Sequence, residues 1–106
     1  MSHADDSLDR SLQAIADPTR RKILQALREG AVAAKAGGKS AEDRSPCLCA
    51  GDIEERMHLT QPTISHHMAI LTRAGLVEAA KQGQWRWYRR NEKAIRILVK
   101  TLRVKL

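Results

Sequence analysis

Leu8, Leu12 and Ile15 recur at i, i+4 and i+7, the spacing of one helix face. Asp5 or Asp6 is placed to cap that helix. A second helix is predicted from "ADPTRRKILQALREG". Asp17 suits the N-cap, and Pro18 suits the first helical position, where a missing N–H costs nothing. Ile23, Leu24 and Leu27 form its apolar stripe. Gly30 is expected to stop it, with Ala36 as the outer limit set by Gly37-Gly38. Residues 37–46 mix Ala, Gly, Ser and charge without a large apolar side chain, and are expected to form a flexible surface loop.

The pattern then tightens. "AGDIEERM" puts Ile53 and Met57 on one face of a short helix. In "HLTQPTISHHMAILTRAGL", Thr60 is a candidate cap, and Pro62 sits in the first turn, where no N–H is yet bonded. Ile64, Met68 and Leu71 line the buried side, and Gly75 suits the left-handed position after the helix. Two short helices about three residues apart, over 50–74, predict a helix-turn-helix. The period shortens in "LVEAAKQGQWRWYRR", which predicts a β-hairpin over 77–90 with Gly83 in its turn. Trp85 and Trp87 would share one face, Arg86 and Tyr88 the other. A last helix carries Ile95, Leu98, Val99 and Leu102 at i, i+3, i+4 and i+7, a stripe longer than so small a domain readily buries. The expected fold class is mainly α with a β-hairpin wing (α+β), a single winged helix-turn-helix domain over 1–106.

Charge adds a direction. The 106 residues carry a net charge of +7, unevenly spread. Residues 1–60 hold nine Lys/Arg against ten Asp/Glu, and residues 61–106 hold ten against two. Such asymmetry points to a polyanion-facing surface, nucleic acid first and an anionic membrane second. No apolar run approaches the roughly 18 residues that would cross a membrane. The polar, acidic start "MSHADDSLDR" is unlike a targeting segment, so a cytoplasmic protein with reduced thiols is expected.

An α-helix fits the major groove, where each base pair shows its own donor and acceptor pattern. The exposed side of the second helix of the pair offers Gln61, Thr63, Ser65, His66 and His67. The hairpin adds Lys81, Gln82, Arg86, Arg89 and Arg90, suited to the DNA backbone or minor groove. Ser65, His66 and His67 do not make a catalytic set, because adjacent helical residues diverge by about 100°. An enzyme is not expected. The competing reading is a winged-helix protein–protein interaction module without DNA binding.

Four stretches in order, "ADPTRRKIL" (16–24), "LCAGDI" (48–53), "LTQPTISHHMAILTRAGLV" (59–77) and "KQGQWRWYR" (81–89), make the sequence resemble the ArsR/SmtB family of bacterial transcriptional repressors. The resemblance implies a homodimer on a palindromic operator, released when an effector binds. Residues 61–67 would face the groove and residues 81–86 the backbone. The terminal helices would form the dimer interface, through Leu8, Leu12, Ile15, Ile95, Leu98, Val99 and Leu102.

Cys47 and Cys49 leave two readings open. Family members bind metals or metalloids through cysteines at the start of the helix-turn-helix. Cys49 matches the first of those positions, while Gly51 and Glu54 stand where the others would fall. On the last helix, the positions that would hold ligands read Glu92, Lys93 and Ala94. In a regular helix Cys47 and Cys49 would point about 200° apart, so joint chelation needs an irregular segment. Arg44 nearby would favour the thiolate. The pair is therefore either a thiol site for a metal, a metalloid or an oxidant, or Cys49 is a small packed residue and Cys47 incidental.

Overall fold

A computed structural model describes residues 3–36, 47–83 and 85–106. The chain runs α1 (His3–Ile15), α2 (Pro18–Ala36), β1 (Cys47–Cys49), α3 (Ala50–Met57), α4 (Gln61–Arg73), β2 (Val77–Gln82), β3 (Trp85–Arg90) and α5 (Glu92–Lys105). The sheet is antiparallel with order β1-β3-β2. Its winged helix-turn-helix layout matches the fold class read from the sequence.

Local chemistry explains most boundaries. Asp17 accepts a hydrogen bond from the Arg20 N–H at 3.0 Å, capping α2. Two arginines close the joint with α1. Arg20 Nε donates to the Ala14 carbonyl at 2.7 Å and its Nη2 to Gln13 at 3.0 Å, while Arg21 Nη1 reaches the Ile15 carbonyl. These carbonyls lie in the last turn of α1, where the i+4 helical donors run out. Asn91 caps α5 by accepting from the Ala94 N–H at 3.1 Å. Gly75, at φ 78°, ends α4. The Gly75 N–H reaches the Thr72 carbonyl and the Leu76 N–H the Leu71 carbonyl, the paired closure of a Schellman motif.

The core lies between α2, the helix-turn-helix and the base of the sheet. Ile23 and Leu27 of α2, Ile53 of α3, Ile64, Met68 and Leu71 of α4, and Leu76 and Val77 are buried almost completely. Leu48 of β1 and Tyr88 of β3 are paired in register and also buried, so the sheet closes one side of this core.

Several expectations need correction. Helix α1 already includes His3, so positions 5 and 6 lie within the helix rather than at its cap. Gly30 does not stop α2, which runs to Ala36. Ala31, Ala33 and Ala34 favour the helix strongly enough to carry it past one glycine costing about 1 kcal/mol. The Cys47–Cys49 segment is neither helical nor irregular. It is a third strand, with Cys47 opposite Arg89 and Cys49 opposite Trp87. The expected loop 37–46 lies outside the described residues.

The terminal stripe is also absorbed differently. Leu98 belongs to the protomer's own core, and Leu8, Ile15, Ile95 and Leu102 pack partly against it. Of the seven interface candidates only Leu12 (38% exposed) and Val99 (54%) stay open. The periodicity marked the face of α5 that the protomer buries, and the apolar side chains left in solvent flank that face. They are Ile97 and Val104 on one flank and Val99 on the other, with Leu106 just beyond the helix.

Candidate nucleic-acid interface

Helix α4 is held from below and free above. Ile64, Met68 and Leu71 point into the core, while Gln61, Thr63, Ser65 and His66 are exposed on the outer side. The three-residue turn before it, His58 to Thr60, is set by His58 in the left-handed region at φ 55°, with its N–H on the Glu54 carbonyl at 2.9 Å. Thr60 stands at the N-cap position, but its hydroxyl lies 3.0 Å from the Thr63 hydroxyl rather than on a backbone N–H. The first exposed turn of α4 thus presents an ordered row of amide and hydroxyl groups.

His67 does not join that row. Its Nδ1 lies 3.2 Å from Arg20 Nη1, and the side chain is half-buried against α2. Because the guanidinium can only donate, Nδ1 must carry a lone pair, which requires the neutral ring. Desolvation pushes the His67 pKa below its ordinary value of 6.5, and Arg20 and His66 push the same way, against Asp17. The contact ties α4 to the arginine that closes the α1–α2 joint. A histidine with a depressed folded pKa binds its proton more weakly folded than unfolded. Stability is therefore complete above about pH 6.5 and declines as pH falls from there toward the folded value. Asp17, held below 3.8 chiefly by the Arg20 N–H, acts only in a lower window. His67→Gln keeps an acceptor for Arg20 but cannot titrate. Its melting temperature should stay level between pH 6.5 and 5.5 while that of the wild type falls. Equal declines in both proteins would assign the effect elsewhere.

The wing sorts its cations by face. Lys81 and Arg86 are cross-strand partners, both exposed, on the side that faces α4. Like charges directly opposite each other are unfavourable, and neither has a carboxylate partner among the described residues. Glu78 and Arg89 pair on the other face at 2.6 Å. Arg90 turns inward, donating to the Leu24 carbonyl at 3.2 Å and pairing with Glu92 at 2.7 Å. Arg89 and Arg90, counted among the wing's cations from sequence, thus serve the sheet and the α2–α5 packing. The side chain of Gln82 lies outside the described residues.

The cleft between the start of α3, the start of α4 and the wing is lined by Cys49, Ala50, Gly51, Gln61, Ser65, Lys81, Gly83, Arg86 and Tyr88, with a volume of about 360 Å³. Cys49 sits at its edge as the residue before α3. The Cys49 N–H donates to Asp52 Oδ2 at 3.3 Å, and the thiol donates to the same oxygen at 3.1 Å. Burial pushes the Cys49 thiol up, and the bond to Asp52 adds to it. This is the opposite of the thiolate expected from Arg44, which lies outside the described residues. The side chain of Cys47 lies outside them too. Among the described residues no three His, Cys, Asp or Glu side chains gather as a metal site would require.

Sequence reasoning missed Arg73 and Thr72, which extend the α4–wing face toward the end of α4. Their exposure on the helix side that also carries Ser65 was available from the 3.6-residue period.

A family model described as "Helix-turn-helix domain" matches residues 15–79. An uncharacterized HTH-type transcriptional regulator of Methanocaldococcus jannaschii is 41% identical over 76 residues, 72% of this chain and 68% of that protein. The transcriptional repressor SdpR of Bacillus subtilis is 37% identical over 79 residues, 74% of this chain and 70% of that protein. Among solved structures, an ArsR family transcriptional regulator superposes with a TM-score of 0.74 at 21% identity, over 99% of this chain and 92% of that one. A homodimeric winged helix-turn-helix DNA-binding domain from Mycobacterium bovis superposes with a TM-score of 0.68 at 23% identity, over 99% and 87%. The order of elements, the exposed polar face of α4, these relatives and the arsenical resistance operon repressor of Staphylococcus aureus, 37% identical over 54% of this chain and 55% of that protein, agree: the chain belongs to the ArsR family of winged helix-turn-helix transcriptional regulators.

Proposed function

We propose that this protein is a DNA-binding transcriptional repressor that acts as a homodimer on a palindromic operator in the cytoplasm. One observation carries the reading. The exposed turn of α4, with Gln61, Thr63, Ser65 and His66, stands beside Lys81 and Arg86, which have no acid partner among the described residues. Amide and hydroxyl groups on a helix suit base edges, and the two wing cations suit the phosphates flanking them. The repressor relative and the homodimeric DNA-binding domain of the same fold support the same reading. Two-fold pairing of subunits is what a palindromic site mirrors.

The dimer contact is assigned to α1 and α5. Leu12, Ile97, Val99 and Val104 are exposed there, and Ile95, Val99 and Val104 line an open groove of about 630 Å³. Those apolar side chains are also the one feature that favours the rival reading, an interaction module. No charged face like that of α4 and the wing is needed for such a role.

The Cys49 geometry supports a helix-capping role over a reactive one. Release by a metal, metalloid or oxidant acting on Cys47 and Cys49 would have to overcome the bond from the Cys49 thiol to Asp52.

The test is a gel shift with the duplex upstream of the protein's own gene against an unrelated duplex of equal length. Retarded bands at lower protein concentration on the upstream duplex support the repressor. No retardation on either at low salt leaves the interaction module.

A further inference from the structure

A second groove runs from the first one along α4. Ser65, Thr72 and Arg73 line its helical wall, and Lys81, Arg86 and Tyr88 its sheet wall, around about 450 Å³. Ser65, Lys81, Arg86 and Tyr88 belong to both grooves, so they form one channel between α4 and the wing. The small Ala79 side chain, on the same face as Lys81 and Tyr88, keeps its floor low. From Ser65 to Arg73 it extends about 12 Å along the helix.

Three cations line this second groove, Arg73, Lys81 and Arg86, and among the described residues no carboxylate does. None of the three is ion-paired among the described residues. The acid of the neighbouring strand, Glu78, is turned to the other face and held there by Arg89. Concentrated, uncompensated charge of one sign in an open, low-walled groove raises the local potential and favours an anionic chain as occupant. A single small anion would leave most of the length unfilled. A DNA strand carries one charge per about 3.4 Å of rise, so the channel has room for more than one phosphate.

We propose that one strand of the operator backbone lies in this channel and that Arg73, at the far end of α4, contacts a phosphate beyond those reached by Lys81 and Arg86. The proposal rests on the DNA-binding reading above and adds a contact at the end of α4 away from Gln61 and Thr63. Such a contact fixes how deeply α4 can roll into the major groove, without reading a base. The position of Arg73 in the last turn also suits the helix dipole. That effect acts on stability, and a salt slope does not register it.

The experiment is fluorescence anisotropy on the upstream duplex and on an unrelated duplex across a series of salt concentrations. It compares the wild type, Arg73→Ala, Arg73→Lys and Arg28→Ala. Arg28 is exposed on α2 and controls for the loss of one unit of net charge. Arg73→Ala should weaken binding about tenfold on both duplexes and flatten the plot of log affinity against log salt by about 0.9. Arg73→Lys should restore the slope. If Arg73→Ala matches Arg28→Ala, or alters preference between duplexes without changing the slope, the Arg73 contact is refuted while wild-type binding still upholds the broader reading. If the wild type itself binds neither duplex, both fall together.

Discussion

Leu98→Asp should unfold the protomer, and Val99→Asp should separate two folded protomers. The residues are neighbours on α5, but Leu98 is 8% exposed within the core and Val99 is 54% exposed. Leu98 packs in the same cluster as Ala14 of α1 and Leu76. Replacing it with Asp removes about 2–5 kcal/mol of packing and leaves a carboxylate with no partner in an apolar site. A domain of this size has little reserve against such a loss. The expected result is a melting transition lost or lowered by tens of degrees. Val99→Asp meets solvent in the isolated protomer and should leave the circular dichroism spectrum intact. In a dimer joined through α1 and α5, it would place like charges in an apolar contact, so sedimentation should shift from dimer to monomer at micromolar concentration. A folded Leu98→Asp monomer would show that the α1–α5 packing described above is wrong. A Val99→Asp dimer would move the interface away from this flank of α5.

The double variant Lys81→Ala, Arg86→Ala should lose at least a hundredfold in operator affinity at low salt. Each side chain is exposed, faces the α4 side of the wing and lacks an acid partner among the described residues. A charged hydrogen bond to a phosphate contributes about 1.5–3 kcal/mol, and two such bonds at the low end of that range give the stated factor. The salt slope should become shallower by about 1.8. Stability should rise slightly, because the unfavourable cross-strand pair of like charges is removed. An Arg89→Ala variant makes the contrast. It breaks the pair with Glu78 on the outer face and should alter the slope far less. Equal effects of the two sets would mean that the wing does not present one face to DNA.

What the sequence made legible follows from how each signal is written. The helix-turn-helix could be read because punctuation and periodicity coincide there: Pro62 and Gly75 bracket a strict stripe of Ile64, Met68 and Leu71. The hairpin could be read because Gly83 must adopt φ 59° in its turn. Strand β1 could not, since three residues ahead of a helix carry no period, and its pairing with β3 spans about 40 positions of sequence. Periodicity found the apolar face of α5 but not what covers it. A stripe looks the same whether the protomer or a second copy buries it, and Leu98 went to the protomer. The charge of the wing was visible, its division was not. Arg86, Arg89 and Arg90 are equal letters until strand register sends the first toward α4, the second to Glu78 and the third to Leu24. His67 differs from His66 for the same reason. One residue of helical rotation moves the side chain from solvent to Arg20.

The central claim is that the outer face of α4 reads bases while the wing holds the backbone. It is tested most directly by measuring binding to a set of duplexes carrying every single-base change across the operator, with the wild type and with Gln61→Ala. Gln61 is exposed in the first turn of α4 and lines the cleft beside the wing. Its amide can bond to a base edge in two directions at once, a contact that discriminates by about 1–3 kcal/mol. The account predicts that Gln61→Ala flattens the preference at one base-pair position, repeated symmetrically in the two half-sites, with the other positions and the salt slope unchanged. A uniform loss on every duplex, or no change at any position, would contradict it.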